Sequence, residues 1–382
     1  MDSQETTQRD TQRYERMRQG MFEALSLNNG VTLPNRFVVA PMTLWASNDD
    51  GSLSDQERTF LANRAPGAAL HIVGATLVHH SGKTFLGQPF ALSEADLPSL
   101  EERARIVHAN NSKAILQIHH GGIQAEAKLT APDQPMGATG GFNGAREMTE
   151  ADIHTIIESF VRAARLALQA GFDGVEIHGA NNYLLQQFVS PHTNRRTDKW
   201  GKDKTLLSVE ITRAITEMRD NEGRPDFLVG YRLSPEEPFD EGLTMDHTVA
   251  LIKRLNETDL QFLHISQWNF HQNARRGQGA EDNLARLQVI RDVTRDDIAI
   301  IGVGSLNDKD TLTDAFETGW VDMYGFGRAA MINPDLVNVV KNDPQIALRT
   351  HFDPDREDQY GIPDRLWAMS KRDQEWLPSV RK

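Results

Sequence analysis

Eight short, nearly uninterrupted apolar runs recur along the chain. They are Arg36 to Met42, Ala69 to Val78, Lys113 to His120, Phe172 to Gly179, Asp226 to Ser234, Leu260 to Gln267, Ile298 to Ser305 and Val321 to Gly327. Continuous runs, in place of strict apolar–polar alternation, are what strands covered on both faces by parallel-sheet packing require. The stretches between them carry helical periodicity. In Thr149 to Ala170, Ile153, Ile156, Ile157, Phe160, Ala164 and Ala167 fall on one face; Thr149 can cap the start, Asp152 supplies the acidic third position, and Gly171 stops the pattern. Similar patterns run through Ala95 to Asn110, Asp203 to Asp220, Met245 to Asn256 and Asp308 to Thr318. Eight strand–helix units predict an α/β chain folded as a (β/α)8 TIM barrel. The rival, a doubly wound open sheet, should carry GxGxxG in its first turn, and none follows Met42.

Nothing splits the chain into two folding units. The Gly-rich stretch Gln134 to Arg146 reads as a loop insertion between the third strand and the Thr149 helix, since a boundary there would cut the barrel in half. The expected organisation is a polar N-terminal extension over 1–20, a single barrel domain over 21–341 and a C-terminal tail over 342–382. The tail carries Trp367, Trp376, Leu377 and Pro378, aromatics and apolars expected to dock on the barrel or on a neighbouring subunit, which leaves a homodimer or higher homo-oligomer open.

Composition narrows the function. The chain is 39% hydrophobic and 25% charged, enough to bury a large core. Its net charge of −13 argues against general nucleic-acid or anionic-membrane binding, which need basic patches. With no cysteine, disulfides, thiolate metal sites, iron–sulfur clusters and cysteine nucleophiles are all excluded. No apolar run reaches the roughly 18 residues that span a bilayer, and the polar start lacks the apolar core of a secretory signal. A cytoplasmic protein acting on small molecules is expected.

A barrel of this type builds its active site at the C-terminal ends of the strands. There the predicted strands present Pro41 and Thr43, Ala75, Gln117 with His119 and His120, His178 with Asn181, Asn182 and Tyr183, Arg232, and Ser266 with Trp268. The seventh and eighth end in glycine turns, Gly302-Val303-Gly304-Ser305 and Gly325-Phe326-Gly327-Arg328. Either turn alone would read as a tight turn. Both together, with an Arg and at the two strands where barrels hold phosphate, predict an anion site of bare amides and a fixed cation. His178 and Asn181 can donate hydrogen bonds to one substrate oxygen, and Tyr183, neutral at pH 7, can give up a proton. Each alone would pass for a strand-end residue. No GxSxG or HExxH competes, so no metal site is expected, and the pairs His79-His80 and His119-His120 read as strand-end packing.

The segment GFDGVEIHGANNYLLQQFVSPHTNRRTDKWG, Gly171 to Gly201, resembles the signature of the Old Yellow Enzyme family, the FMN-dependent NAD(P)H:flavin oxidoreductases and ene-reductases. LPNRFVVAPMT, ILQIHHGG, VGYRLSP, IIGVGS and YGFGRAAMINPDL extend the resemblance in family order from Leu33 to Leu336. It implies that Pro41, Thr43, Ala75, Gln117 and Arg232 contact the flavin ring, and that Gly304, Ser305, Gly327 and Arg328 hold the FMN phosphate. It further implies that NADH or NADPH gives hydride to the flavin, which passes it to an electron-poor alkene. In that scheme the carbonyl or nitro oxygen sits on His178 and Asn181, and Tyr183 is the proton donor. Trp45 and Trp268 are expected to line the entrance. The chain departs from the family at Thr43, where one branch has cysteine, at Ile123, where many members have Arg, and at Trp200-Gly201-Lys202. Two other readings stay open: an FMN-binding carrier or partner protein without ene-reductase turnover, and a non-flavin barrel enzyme acting on a phosphorylated metabolite.

Overall fold

Valine, isoleucine and leucine dominate the eight runs, and each run becomes a strand of one closed parallel barrel in the computed structural model, which describes residues 3–343, 345–372 and 377–380. The strands are β1 (Phe37–Val39), β2 (Leu70–Leu77), β3 (Lys113–His119), β4 (Gly174–Gly179), β5 (Leu228–Leu233), β6 (Phe262–Ile265), β7 (Ala299–Val303) and β8 (Met323–Phe326). Each pairs in parallel with its sequence neighbour, and β8 closes onto β1 through Tyr324 and Phe37. The strands are shorter than the apolar runs because the run ends turn outward into the loops that carry chemistry.

Helices return the chain between strands. Glu150–Gln169 follows β3 with the capping box expected of Thr149 and Asp152, and Gly171 takes φ 83° just beyond its end. Leu97–Ala109, Leu206–Asn221, Met245–Leu255 and Lys309–Thr318 lie within a few residues of the helices expected from periodicity. Helices Asp55–Ala62 after β1 and Arg286–Val293 after β6 were not among those expectations; each spans only 8 residues, too few for a clear periodic signal. The Gly-rich insertion folds onto itself, with Met136–Gly137 pairing Arg146–Glu147.

The barrel is plugged at one end. Leu27 and Leu33, carried by a short hairpin, pack with Val38, Leu70, Leu228, Phe262 and Met323 inside its lower half. Gly230 makes room for Phe262, whose ring would stand 2.1 Å from a Cβ there. Among the described residues the barrel opens into a cavity at its C-terminal end. The polar N-terminal extension forms a helix, Ser3–Met21, fastened by Arg13 to Asp314 and Glu317. In the tail, Trp367, Phe352 and Tyr360 pack together, and the buried Arg64 donates to the carbonyls of Ala330, Met331 and Tyr360. Trp376 lies outside the described residues. Among the described residues no helix is long and apolar enough to cross a membrane.

Candidate active site

The open end of the barrel forms a cavity of about 590 Å³. Pro41 and Thr43 from β1, Asn181 from β4, Arg232 from β5, Trp268 from β6, Gly304 and Ser305 from β7, and Gly327 and Arg328 from β8 all line it. Residues spread over almost 300 positions of sequence thus share one wall, as the strand-end argument requires.

One pole of the cavity is suited to an anion. Gly304 adopts φ 128°, and a Cβ there would sit 2.6 Å from the Asn269 carbonyl carbon and the Phe270 nitrogen. No L side chain is comfortable in that backbone region. A Cβ on Gly327 would meet nothing within 4 Å, so its face is bare toward the cavity. Ser305 Oγ donates to the Trp268 carbonyl at 3.0 Å, and the Arg328 guanidinium lies 5.2 Å above the Trp268 ring, a cation–π contact that holds the charge in place. In a chain of net charge −13 this is a fixed local cation beside unshielded backbone.

The other side is a linked set of donors. Arg232 is 9% exposed; its Nη2 donates to Ser266 Oγ at 3.3 Å, and Ser266 Oγ donates to Asn181 Oδ1 at 2.9 Å. Asn181 and Asn182 occupy the left-handed region at φ 57° and 61°, where Asn is tolerated better than other side chains. With Oδ1 engaged by Ser266, the Asn181 amide NH2 is the end turned to donation. Burial lowers the Arg232 pKa against the opposing pull of Glu176, and its Nε is buried without a partner among the described residues.

His178 stands one strand over from Arg232, its register partner, and is 3% exposed. Its Nδ1 accepts from the Ala180 amide at 3.3 Å, which assigns the ring proton to Nε2. Burial, then the neighbouring His119, Arg232 and His264, push its pKa well below the ordinary histidine value. The imidazole is neutral and a donor at Nε2. The Tyr183 ring lies 5.2 Å from His178 and 4.3 Å from His119, and burial raises its pKa, so the phenol keeps its proton.

Ala75, Gln117, His178 and Tyr183 are not among the residues that line the cavity. Ala75 and Gln117 are 5% and 2% exposed; Gln88 Nε2 reaches the Ala75 carbonyl at 3.4 Å, and Gln117 Nε2 donates to Glu176 Oε1 at 2.7 Å. The two tryptophans separate. Trp268 is 58% exposed on the cavity wall, whereas Trp45 packs its ring 5.8 Å from Phe85 and is not among the lining residues. Sequence reasoning missed Arg286, Glu236 and Gln272 in the same wall. Arg286 Nε donates to Glu236 Oε2 at 2.6 Å, and the amides of Arg275 and Arg276 donate to the same carboxylate. A signal was available: barrel helices start at the active-site end, and Arg286 is the first residue of its helix. Among the described residues no group of three His, Asp or Glu side chains is placed to hold a metal ion.

Fold and cavity define a class, (β/α)8 barrels with an open C-terminal cavity, one pole of which is suited to an anion. A sequence model of the NADH:flavin oxidoreductase / NADH oxidase family matches residues 20–345, and the chain belongs to that family, the Old Yellow Enzymes. It is 36% identical over 365 residues to the probable NADH-dependent flavin oxidoreductase YqiG of Bacillus subtilis (strain 168), covering 94% of this chain and 97% of that one. It is 33% identical over 361 residues to an NADH:acrylate oxidoreductase of Vibrio harveyi, covering 91% of this chain but only 36% of that longer protein. The fold is shared with an Old Yellow Enzyme homologue from Zymomonas mobilis at TM-score 0.74 and 23% identity, over 90% of this chain and 99% of the other. The chain is therefore an FMN-dependent NAD(P)H oxidoreductase, which removes the non-flavin barrel enzyme.

Proposed function

We propose that this chain reduces electron-poor alkenes, α,β-unsaturated carbonyl or nitro compounds, at the expense of NADH or NADPH. The observation that carries the reading is the pairing of His178 and Tyr183, two neutral donors with ring centroids 5.2 Å apart beside the cavity wall at Arg232. Relatives named for acrylate and fumarate point to the same substrate chemistry, a double bond conjugated to a carboxyl group.

The residues present fit FMN. Gly304, Ser305, Gly327 and Arg328 would hold its phosphate, the bare Gly327 face giving the anion room. Pro41, Thr43, Ala75, Gln117 and Arg232 would hold its ring, and the unpartnered Arg232 Nε supports a ligand there. When bound, FMN supplies the hydride that NAD(P)H provides and the alkene receives.

Everything else falls to side chains. His178 Nε2–H and the Asn181 amide hydrogen-bond the substrate oxygen and stabilise the negative charge that grows on it as the remote alkene carbon is reduced. A neutral imidazole suits this task, because an imidazolium in this buried place would face the full desolvation penalty. Tyr183 gives its phenolic proton to the other alkene carbon and recovers one from solvent. Trp268 borders the entrance.

The test is anaerobic. NADH should bleach the yellow FMN-loaded protein, and 2-cyclohexenone, maleimide, acrylate or fumarate should each be tried for restoring the colour. Return of colour with an alkene, with the saturated product formed in equal amount, supports the reading. Return only on admitting oxygen overturns it.

A further inference from the structure

Below the cavity, three polar side chains cross the barrel interior in one hydrogen-bonded chain. Gln117 on β3, Glu176 on β4 and His264 on β6 are 2%, 0% and 0% exposed. Gln117 Nε2 donates to Glu176 Oε1 at 2.7 Å, and His264 Nδ1 lies 2.6 Å from Glu176 Oε2. Gln117 and Glu176 are register partners on adjacent strands. A carboxylate this deep is costly to bury, while the barrel's lower half is filled by leucine, isoleucine and phenylalanine without one. Packing alone gives no reason for it.

Its chemistry gives one. A primary amide has a donating end and an accepting end, whereas a carboxylate only accepts. Glu176 therefore takes the NH2 end of Gln117 and leaves Oε1 turned the other way, toward β2, 3.2 Å from where a Cβ on Gly74 would stand. His264 holds the second carboxylate oxygen, so Glu176 cannot swing away. Burial outweighs the pull of Glu176 and lowers the His264 pKa, which leaves a neutral ring with its Nδ1 proton on the carboxylate.

The geometry points to Glu176 and His264 as positioning residues that lock the Gln117 carbonyl away from Glu176, as an acceptor for the single ring N–H that FMN carries between its two pyrimidine carbonyls. The inference rests on the placement of Gln117 against FMN proposed above. An amide free to turn over would present NH2 to that N–H half of the time, donor against donor.

A double-mutant cycle on the FMN dissociation constant of the full chain tests it, with Gln117→Ala, Glu176→Gln and the pair. Gln117→Ala should weaken FMN about tenfold and Glu176→Gln about fivefold, the scale of one hydrogen bond. In the Gln117→Ala background, Glu176→Gln should lose most of its effect, because the part that passes through the amide is gone and only its pull on Arg232 remains. Equal weakening by Glu176→Gln in both backgrounds, or none in either, overturns the positioning role. If Gln117→Ala leaves FMN affinity unchanged, it is the placement of Gln117 at the ring that fails. Should Glu176→Gln not fold, NMR of the wild-type chain decides, the Gln117 amide being assigned by its loss in Gln117→Ala. The NH2 protons should exchange slowly and stay put on adding FMN while the carbonyl carbon shifts. The reverse pattern overturns the inference.

Discussion

The rings of His178 and Tyr183 meet at 70° with centroids 5.2 Å apart, and His119 closes the triangle edge-on to the phenol at 4.3 Å. His119 Nδ1 is itself held by Gln88 at 3.1 Å, so the aromatic pair rests on a support fixed from beneath. Both members are neutral, for opposite reasons of charge and one shared cause: burial disfavours the imidazolium and the phenolate alike. A donor pair in which neither member ionises near neutrality keeps one arrangement throughout the working pH range.

The same burial makes the fold acid-sensitive. Burial lowers the pKa of His71 and of His119 to about 3, and His178 falls well below its ordinary value. An unfolded chain protonates these rings near pH 6.5, whereas the folded chain does not until far lower. Stability is therefore fully present above about pH 6.5 and declines as pH falls toward 3, by up to about 1.4 kcal/mol per pH unit for each ring. Urea unfolding should give a free energy about 3 kcal/mol or more lower at pH 5 than at pH 7. Equal values at the two pH values would contradict the neutral-histidine interior.

The two phosphate-turn glycines should separate folding from binding. Gly304→Ala places a methyl 2.6 Å from main-chain atoms at φ 128°, and should destabilise the apoprotein by about 2 kcal/mol. Gly327→Ala places its methyl in open space, and should leave the apoprotein melting temperature nearly unchanged while weakening FMN about tenfold or more. Thermal melts with and without FMN check both. A Gly327→Ala protein that binds FMN normally would move the phosphate elsewhere.

Arg286 and Glu236 close the cavity wall with side chains 6% and 1% exposed. Arg286→Met leaves the buried Glu236 carboxylate only the Arg275 and Arg276 amides as partners, and should cost about 3 kcal/mol of unfolding free energy. Adding Glu236→Gln should recover part of that loss, since the uncompensated charge is gone. A neutral single variant, measured by urea unfolding, would mean that water already reaches Glu236.

The barrel was readable because parallel strands buried on both faces leave continuous apolar runs, and strand ends then name the residues that must converge. Pro41, Thr43, Asn181, Arg232, Trp268, Gly304, Ser305, Gly327 and Arg328 meet on that logic alone. Arg286 and Glu236 were not read because the 8-residue helix that Arg286 opens shows no clear periodicity, so its start at the active-site end went unmarked. The helical N-terminal extension was missed because its buried face rests on few apolar residues, Tyr14, Met17 and Met21, and its docking depends on Arg13 meeting Asp314 and Glu317. Glu176 and His264 sat in plain view inside strands, but an interior hydrogen-bonded chain has no sequence period to betray it.

Tyr183→Phe tests the account most directly, by anaerobic stopped flow in two separate half-reactions. Bleaching of the FMN-loaded variant by NADH should match the native protein, since no alkene proton is transferred there. Restoration of the colour by 2-cyclohexenone should slow by about 10²-fold or more. Restoration at the native rate would contradict Tyr183 as the proton donor.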